Sequence, residues 1–325
     1  WYIMKIIISI LLSAIFLSAN WKSERESLDN VYILGDFRVF YTFDGENALP
    51  LENKVDLNEN SIPDYVENIA QRLYLTKEVF INLLGFQDPL KSKRYKDVKY
   101  IDVHIMSSEK SSAGDEIITF KYKIFNTKDK VISMQVRNNL TKKTLTPSHE
   151  YFHILQNSYT MFKNRWYSES TARWSESIFK KGAAKQDNLP NSQKQIKELF
   201  DKTYDAEGIF GKLTYLCDTN NGVFKNKKDL KTDIPSYPNL IEDSTVYGYK
   251  FIKVFLENLE LMSDYVSKIR DFDEFDWDEK EQKSNENNIF ILKALLKTIN
   301  EECQKENDEI INFRNTIQEY ILKNE

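Results

Sequence analysis

His149 and His153 stand four residues apart, in His149-Glu150-Tyr151-Phe152-His153, in a chain with only 3 histidines. On an α-helix they are neighbours one turn apart. The flanks of the motif read as a helix. Thr146-Pro147 reads as a helix start, with threonine as N-cap and proline at the first helical position. The expected helix runs to about Phe162.

On that helix both imidazoles can meet one metal ion, with Glu150 beside them. The donor set suits Zn2+, which takes imidazole nitrogen in tetrahedral geometry and keeps one position open in catalytic sites. A third protein ligand is then needed. Glu169 follows His153 after 15 residues, enough to end one helix, turn and start a second. That second helix is expected over Ser168 to Lys181, stopped by Gly182. Glu176 lies seven residues further on, on the same face, and suits a carboxylate that holds a ligand histidine. The two glutamates could exchange roles; Glu169, nearer the helix start, is the first choice as ligand.

The pentad followed by Trp166-Tyr167-Ser168-Glu169-Ser170-Thr171-Ala172 resembles the pattern of the gluzincin zinc metallopeptidases, in which H-E-x-x-H precedes a W-x-x-E-G-x-A-type helix. The resemblance implies His149, His153 and Glu169 as zinc ligands and Glu150 as catalytic base. More narrowly, the chain is similar to a group of secreted bacterial metalloproteases that carry a D-x-N-x-N-G-x-P-D-Y segment upstream. Here that segment is Asp56-Leu57-Asn58-Glu59-Asn60-Ser61-Ile62-Pro63-Asp64-Tyr65. The likeness spans roughly residues 30–260. Ser170 and Ser61 stand where those families have glycine, and the link from His153 to Glu169 is shorter than in the best-known gluzincins.

The residue types imply hydrolysis. A zinc ion acidifies water and polarises a carbonyl. Glu150 can take the proton and hand it to a leaving amine. The developing oxyanion needs a further donor. Tyr247, in Thr245-Val246-Tyr247-Gly248-Tyr249, is the candidate, since gluzincins often place a Tyr or His from the helical half over the cleft; a packing role is the plainer alternative. His104, on the strand before the site, is the other candidate, with a buried structural histidine as its alternative.

Asp56, Asn58, Asn60, Ile62, Asp64 and Glu67 occupy positions 1, 3, 5, 7, 9 and 12 of an EF-hand-like loop. They are candidate Ca2+ ligands, with Ile62 contributing its backbone carbonyl. Position 6, where such loops turn on glycine, is Ser61. A polar turn capping the next helix is the alternative reading.

The rest of the chain reads as α+β. Val31 to Thr42 reads as strand, Asp64 to Leu84 as an amphipathic helix stopped by Gly85, and Lys99 to Met106 as a half-buried strand. Ile117 to Phe125 and Val131 to Arg137 are further strand candidates. Helices follow at Ser192–Tyr204, Glu242–Leu259, Ser263–Phe272, Asn287–Glu302 and Asp308–Lys323. Leu230 to Leu240 reads as loop, and Asp271 to Asn288 as a solvated acidic insertion. By resemblance the first half, residues 20–187, is a zincin-like mixed sheet with the active-site helix against it. Residues 188–325 form a mostly helical half that closes the cleft.

Composition and the N-terminus set the context. A net charge of −5, with no basic run, argues against nucleic acid as a partner. Met4-Lys5 precedes an apolar run, Ile6 to Ala19, with small residues at its end, which reads as a secretory signal peptide. The run is short for a membrane span. Trp1-Tyr2-Ile3 lie upstream of the expected start, Met4. Cys217 and Cys303 could pair in an oxidising compartment or stay free. The expected protein is an exported zinc metallopeptidase acting on a peptide or protein, with no membrane partner once the leader is removed. An edge strand would pair the extended substrate. The alternatives are another metal-dependent amide or ester hydrolase, or a calcium-stabilised binding protein with an inert zinc site.

Overall fold

The computed structural model describes residues 21–125, 128–180, 182–223, 240–241, 245–304 and 307–324. The expected leader lies outside them, as does nearly all of the proline-bearing loop at 230–240. The fold is α+β, with one five-stranded mixed sheet followed mainly by helices. The described residues form two compact units, one of residues 21–74 and 97–144, the other of 75–96 and 145–324.

The first unit holds the sheet. Its strands are β1 (Asn30–Leu34), β2 (Phe37–Tyr41), β3 (Tyr100–Met106), β4 (Ser112–Thr119) and β5 (Lys130–Arg137), in the spatial order β1-β2-β3-β5-β4. β2, β3 and β5 run parallel, and β1 and β4 flank them antiparallel. The run expected as one strand over Val31 to Thr42 is a hairpin. Gly35, at φ +58°, supplies the left-handed residue that a two-residue turn requires. β4 lies earlier than the expected Ile117 to Phe125, at Ser112–Thr119. It is a bulged, largely solvated edge strand without the apolar alternation that reveals a strand in sequence.

β3 is buried on both faces rather than one, including Asp102 and His104. Burial of these polar groups is tolerated because they are paired. Arg38 on β2 donates through Nε and Nη2 to the two carboxylate oxygens of Asp102 at 2.7 and 2.9 Å. The Tyr122 hydroxyl donates to Asp102 Oδ2 at 2.8 Å and lies 2.6 Å from His104 Nε2. Phe40, Tyr122, Met106, Phe120 and Val131 close an apolar cluster beside this network.

α1 (Asp64–Lys77) follows the Asp56–Asp64 loop and continues as a π-helical turn, Glu78–Leu83, before Gly85. Its stripe Val66, Ile69, Ala70 and Leu73 is fully buried, matching the expected period.

In the second unit the helices are α2 (Thr146–Tyr159), α3 (Arg165–Ser175), α4 (Gln193–Phe200), α5 (Glu207–Leu216), α6 (Tyr249–Arg270), α7 (Glu279–Gln282), α8 (Asn287–Glu302) and α9 (Asp308–Asn324). α5 is absent from the sequence reading. Its two glycines disfavour a helix in isolation, but a Cβ at Gly211 would collide with the Lys185 carbonyl, so the close packing itself selects glycine. α6 is one helix of 22 residues where two were expected. It starts at Tyr249; residues 242–244, where a start was expected, lie outside the described ones. Its buried stripe runs from Phe251 and Phe255 through Leu259 to Val266 without a break.

The segment 271–288 is largely exposed, as expected, but it is anchored to the helices. Trp277 is buried against Phe162 and Phe272, and its indole donates to Ser267 Oγ at 3.1 Å. Composition alone shows the acidic residues but not the anchoring role of one aromatic. Cys217 and Cys303, the residues that end α5 and α8, form a disulfide with Cα atoms 4.4 Å apart. No helix among the described residues is long and apolar enough to cross a membrane.

Candidate metal centre

Thr146 is the first residue of α2 rather than its N-cap; Leu145 takes the cap position and offers no side-chain hydrogen bond. Packing compensates, because eleven of the fourteen residues of α2 are buried. The rings of His149 and His153 lie 4.8 Å apart at 85°. α3 begins three residues before the expected Ser168, drawn in by Trp166 and Tyr167, both fully buried. Glu169 therefore sits in the second turn of α3 and faces the two histidines.

Three atoms converge. His149 Nε2 and His153 Nε2 are 3.2 Å apart, and Glu169 Oε2 lies 3.3 Å from the first and 3.5 Å from the second. Ligands at about 2.0–2.1 Å from a tetrahedral ion are separated by about 3.3–3.4 Å. The triangle thus has the size of one face of such a coordination sphere, and these three residues can hold a metal ion.

The opposite ring nitrogens are accounted for. Gln156 donates through Nε2 to the Ser168 carbonyl at 2.8 Å and to Thr171 Oγ1 at 2.6 Å. A carbonyl only accepts, so the Gln156 oxygen must face His153 Nδ1, 2.7 Å away, and fixes a proton there. Glu176 Oε1 lies 3.2 Å from His149 Nδ1 and does the same for that ring. Both Nε2 atoms then meet Glu169 Oε2 at one point, where a proton or a metal cation can sit between them. Glu176, which opens a 3-10 turn after α3, is itself held by Lys180 at 3.1 Å and Arg173 at 3.2 Å.

The electrostatics agree. Burial alone would lower the His149 pKa, but hydrogen bonds to Glu169 and Glu176 outweigh it and hold the ring up at about 9. Burial would raise Glu169, and its hydrogen bonds to both histidines instead keep it well below the usual carboxylate range. The field that favours a proton on His149 favours any cation placed among the three atoms. Glu150 is buried on the same helix, and its charge acts on both His149 and Tyr204.

Two contributors escaped the sequence reading. Gln156 was detectable, since it lies three residues past His153 on the same helical face. Tyr204 carried no local signal. It opens a 3-10 turn, Tyr204–Ala206, where the sequence suggested the end of a helix. Its ring lies 5.9 Å from that of His149, and burial together with the Glu169 charge pushes its hydroxyl pKa up. The guanidinium groups of Arg165 and Arg173 lie 5.8 and 5.1 Å from its centroid. Tyr247 is placed differently. Its ring packs on Tyr215 at 5.6 Å, and its carbonyl accepts from the Trp174 indole at 2.8 Å. His104 is a core histidine of the sheet, fully buried, and burial holds its pKa well below the ordinary value.

Comparison of the chain with protein-family models, with curated proteins and with solved structures finds no match in any of the three. The chemistry of the centre therefore rests on its own geometry.

The outer hydrogen bonds give a direct check. Gln156→Leu removes the partner of His153 Nδ1 and frees that ring to turn. Metal affinity is expected to fall about 10–100-fold, the usual cost of losing such a support. Competition against a chelating dye measures it, and an unchanged affinity would mean that Gln156 does not orient the ring.

In the first unit, the Asp56–Glu67 loop folds inward on its oxygens. The Asp56 carboxylate accepts the backbone N–H groups of Asn60 at 3.2 Å and Ser61 at 2.8 Å. Asn60 Oδ1 accepts from Ile62 N at 2.8 Å, and Asp64 Oδ1 from Leu57 N at 3.1 Å. The Glu67 carboxylate closes the ring, accepting from Asn58 at 3.2 Å and Asn60 at 2.8 Å. Ser61 takes φ +71°, the left-handed turn for which such loops use glycine.

Proposed function

We propose that this protein is a zinc-dependent hydrolase that cleaves peptide bonds, exported from the cell. The observation that carries the reading is the triangle of His149 Nε2, His153 Nε2 and Glu169 Oε2 with Glu150 beside it. Two imidazoles and one carboxylate form a donor set suited to zinc, and three protein ligands leave a position for chemistry. The zincin-like resemblance and the apolar leader support a secreted peptidase. The Cys217–Cys303 disulfide is compatible with an oxidising compartment.

Zinc, when bound, supplies Lewis acidity towards water and towards a substrate carbonyl. The chain's own residues do the rest. Glu150 takes the proton from the attacking water and returns it to the leaving amide nitrogen. Glu176 and Gln156 keep both ligand rings in one tautomer and one orientation. Tyr204, whose ring lies 5.9 Å from that of His149, offers its hydroxyl to the oxyanion that develops at the carbonyl.

Metal analysis with a peptidase assay tests this. The purified chain is expected to hold about one zinc and to cleave an unfolded protein substrate, with activity lost to a chelator and restored by zinc. A chain that binds no zinc, or that cleaves equally well after complete chelation, sinks the proposal. Zinc without cleavage of peptides, but with cleavage of another amide or an ester, would redirect the reading to that substrate class.

Calcium at the Asp56–Glu67 loop is proposed as a stabilising ion. Millimolar Ca2+ is expected to raise the unfolding temperature, and Glu67→Ala to abolish that rise. Ser61→Gly, by relieving a left-handed residue, is expected to add about 1 kcal/mol of stability. Thermal unfolding with and without Ca2+ measures all three, and no calcium-dependent shift in the wild type refutes the site.

A further inference from the structure

The helical unit has a cavity of about 810 Å³ between α4, α6, α8 and α9, and no residue of the metal cluster lines it. Its deepest polar group is Asn288, which is 4% exposed. Asn288 Oδ1 accepts from the Trp166 indole and from Asn164 Nδ2, each at 2.9 Å. An indole N–H only donates, so the atom facing it is the oxygen and the amide cannot be turned round. Asn288 Nδ2 therefore carries two N–H groups that meet no acceptor among the described residues. Asn288 lines the cavity, so a ligand seated there can supply the acceptor.

Cations and aromatic rings surround that donor. Lys197, Arg270 and Lys293 line the cavity, against Asp201 and Glu286. The three cations against two carboxylates give the lining a formal charge of +1, with Glu286 paired to Arg270 at 3.2 Å. The Arg270 and Lys293 head groups lie 5.7 and 5.4 Å from the Phe290 centroid, so the positive charge sits beside an apolar face. Phe200 packs on Tyr320 at 5.6 Å, and Tyr265 on Phe290 at 6.1 Å, giving two aromatic walls. Tyr265 and Ile269 are 50% and 53% exposed and carry the apolar surface out to solvent.

We propose that this cavity binds an apolar or aromatic group that ends in a carboxylate. The carboxylate only accepts hydrogen bonds, matching the N–H groups of Asn288 and the neighbouring cations, while the apolar part lies between the rings. A single negative charge matches the one positive charge the wall has in excess. The same chemistry could come from the C-terminus of an apolar peptide or from a fatty acid.

Titration calorimetry on the full chain, with a chelator present, tests the site independently of the metal centre. The probes are N-acetyl-leucyl-phenylalanine and decanoate, each beside its primary amide. At least one acid is expected to bind about 10-fold or more tightly than its amide, and which acid does so identifies the source. Asn288→Asp keeps an oxygen for Trp166 and Asn164 but puts negative charge where the N–H groups were, so the acid's Kd should rise at least about 10-fold. The surface pair Lys197→Glu with Lys293→Glu should weaken binding similarly, and decides the matter if Asn288→Asp does not fold. Equal affinity for acid and amide, no binding of either acid at millimolar concentration, or affinity unchanged in the lysine variant would each overturn the proposal.

Discussion

Glu150→Gln is expected to keep zinc at the wild-type level and to lower peptide turnover by about 10²–10⁴-fold, the range for loss of a positioned general base. The substitution exchanges one carboxylate oxygen for an amide of the same shape. Glu150 is not among the three groups whose atoms converge, so the ligand set His149, His153 and Glu169 stays whole. A glutamine cannot accept the water proton, and the loss should appear in kcat with substrate affinity little changed. Metal content and steady-state kinetics on the same preparation read both quantities. Activity within tenfold of wild type would remove Glu150 from the mechanism. Loss of zinc along with activity would make it a structural member of the centre.

The second large effect concerns stability. Replacing Cys217 and Cys303 by serine is expected to cost about 2–4 kcal/mol and to lower the unfolding temperature by about 5–15 °C. The bridge closes a loop with a sequence separation of 86 residues, and a loop of that size limits the unfolded chain by about 4–5 kcal/mol in the chain-entropy model. It joins the ends of α5 and α8. Next to Cys217, the Asp218 carboxylate accepts the backbone N–H groups of Gly222 at 2.9 Å and Gly248 at 2.6 Å, so the bridge lies beside the turn that starts α6. Urea unfolding of the variant against the wild type, with and without a reductant, measures the cost. Equal stability of all forms would mean that the two thiols are not paired in the native protein.

What could be read from the sequence was whatever depends on neighbours a few residues away. The spacing of His149 and His153 already implied a helix with both rings on one face, because helical periodicity is local. The buried stripe of α1, the strands at β3 and β5, and the oxygens of the Asp56–Glu67 loop are legible for the same reason. Helix ends were less so: Thr146 looks like a cap, yet burial of α2 lets Leu145 fill that position without a side-chain bond.

Only the tertiary structure decided the long-range pairings. Both Glu169 and Glu176 suit a metal site by type, and the path of α3 turns one towards the two Nε2 atoms and the other towards His149 Nδ1. Tyr204 packs beside His149 and Tyr247 on Tyr215, because a side chain's destination depends on which helices pack together. The pairing of Cys217 with Cys303, the anchoring of residues 271–288 by Trp277, and the glycine-bearing α5 share this cause. Each depends on residues brought together from far apart in the chain, where composition and periodicity carry no information about distance.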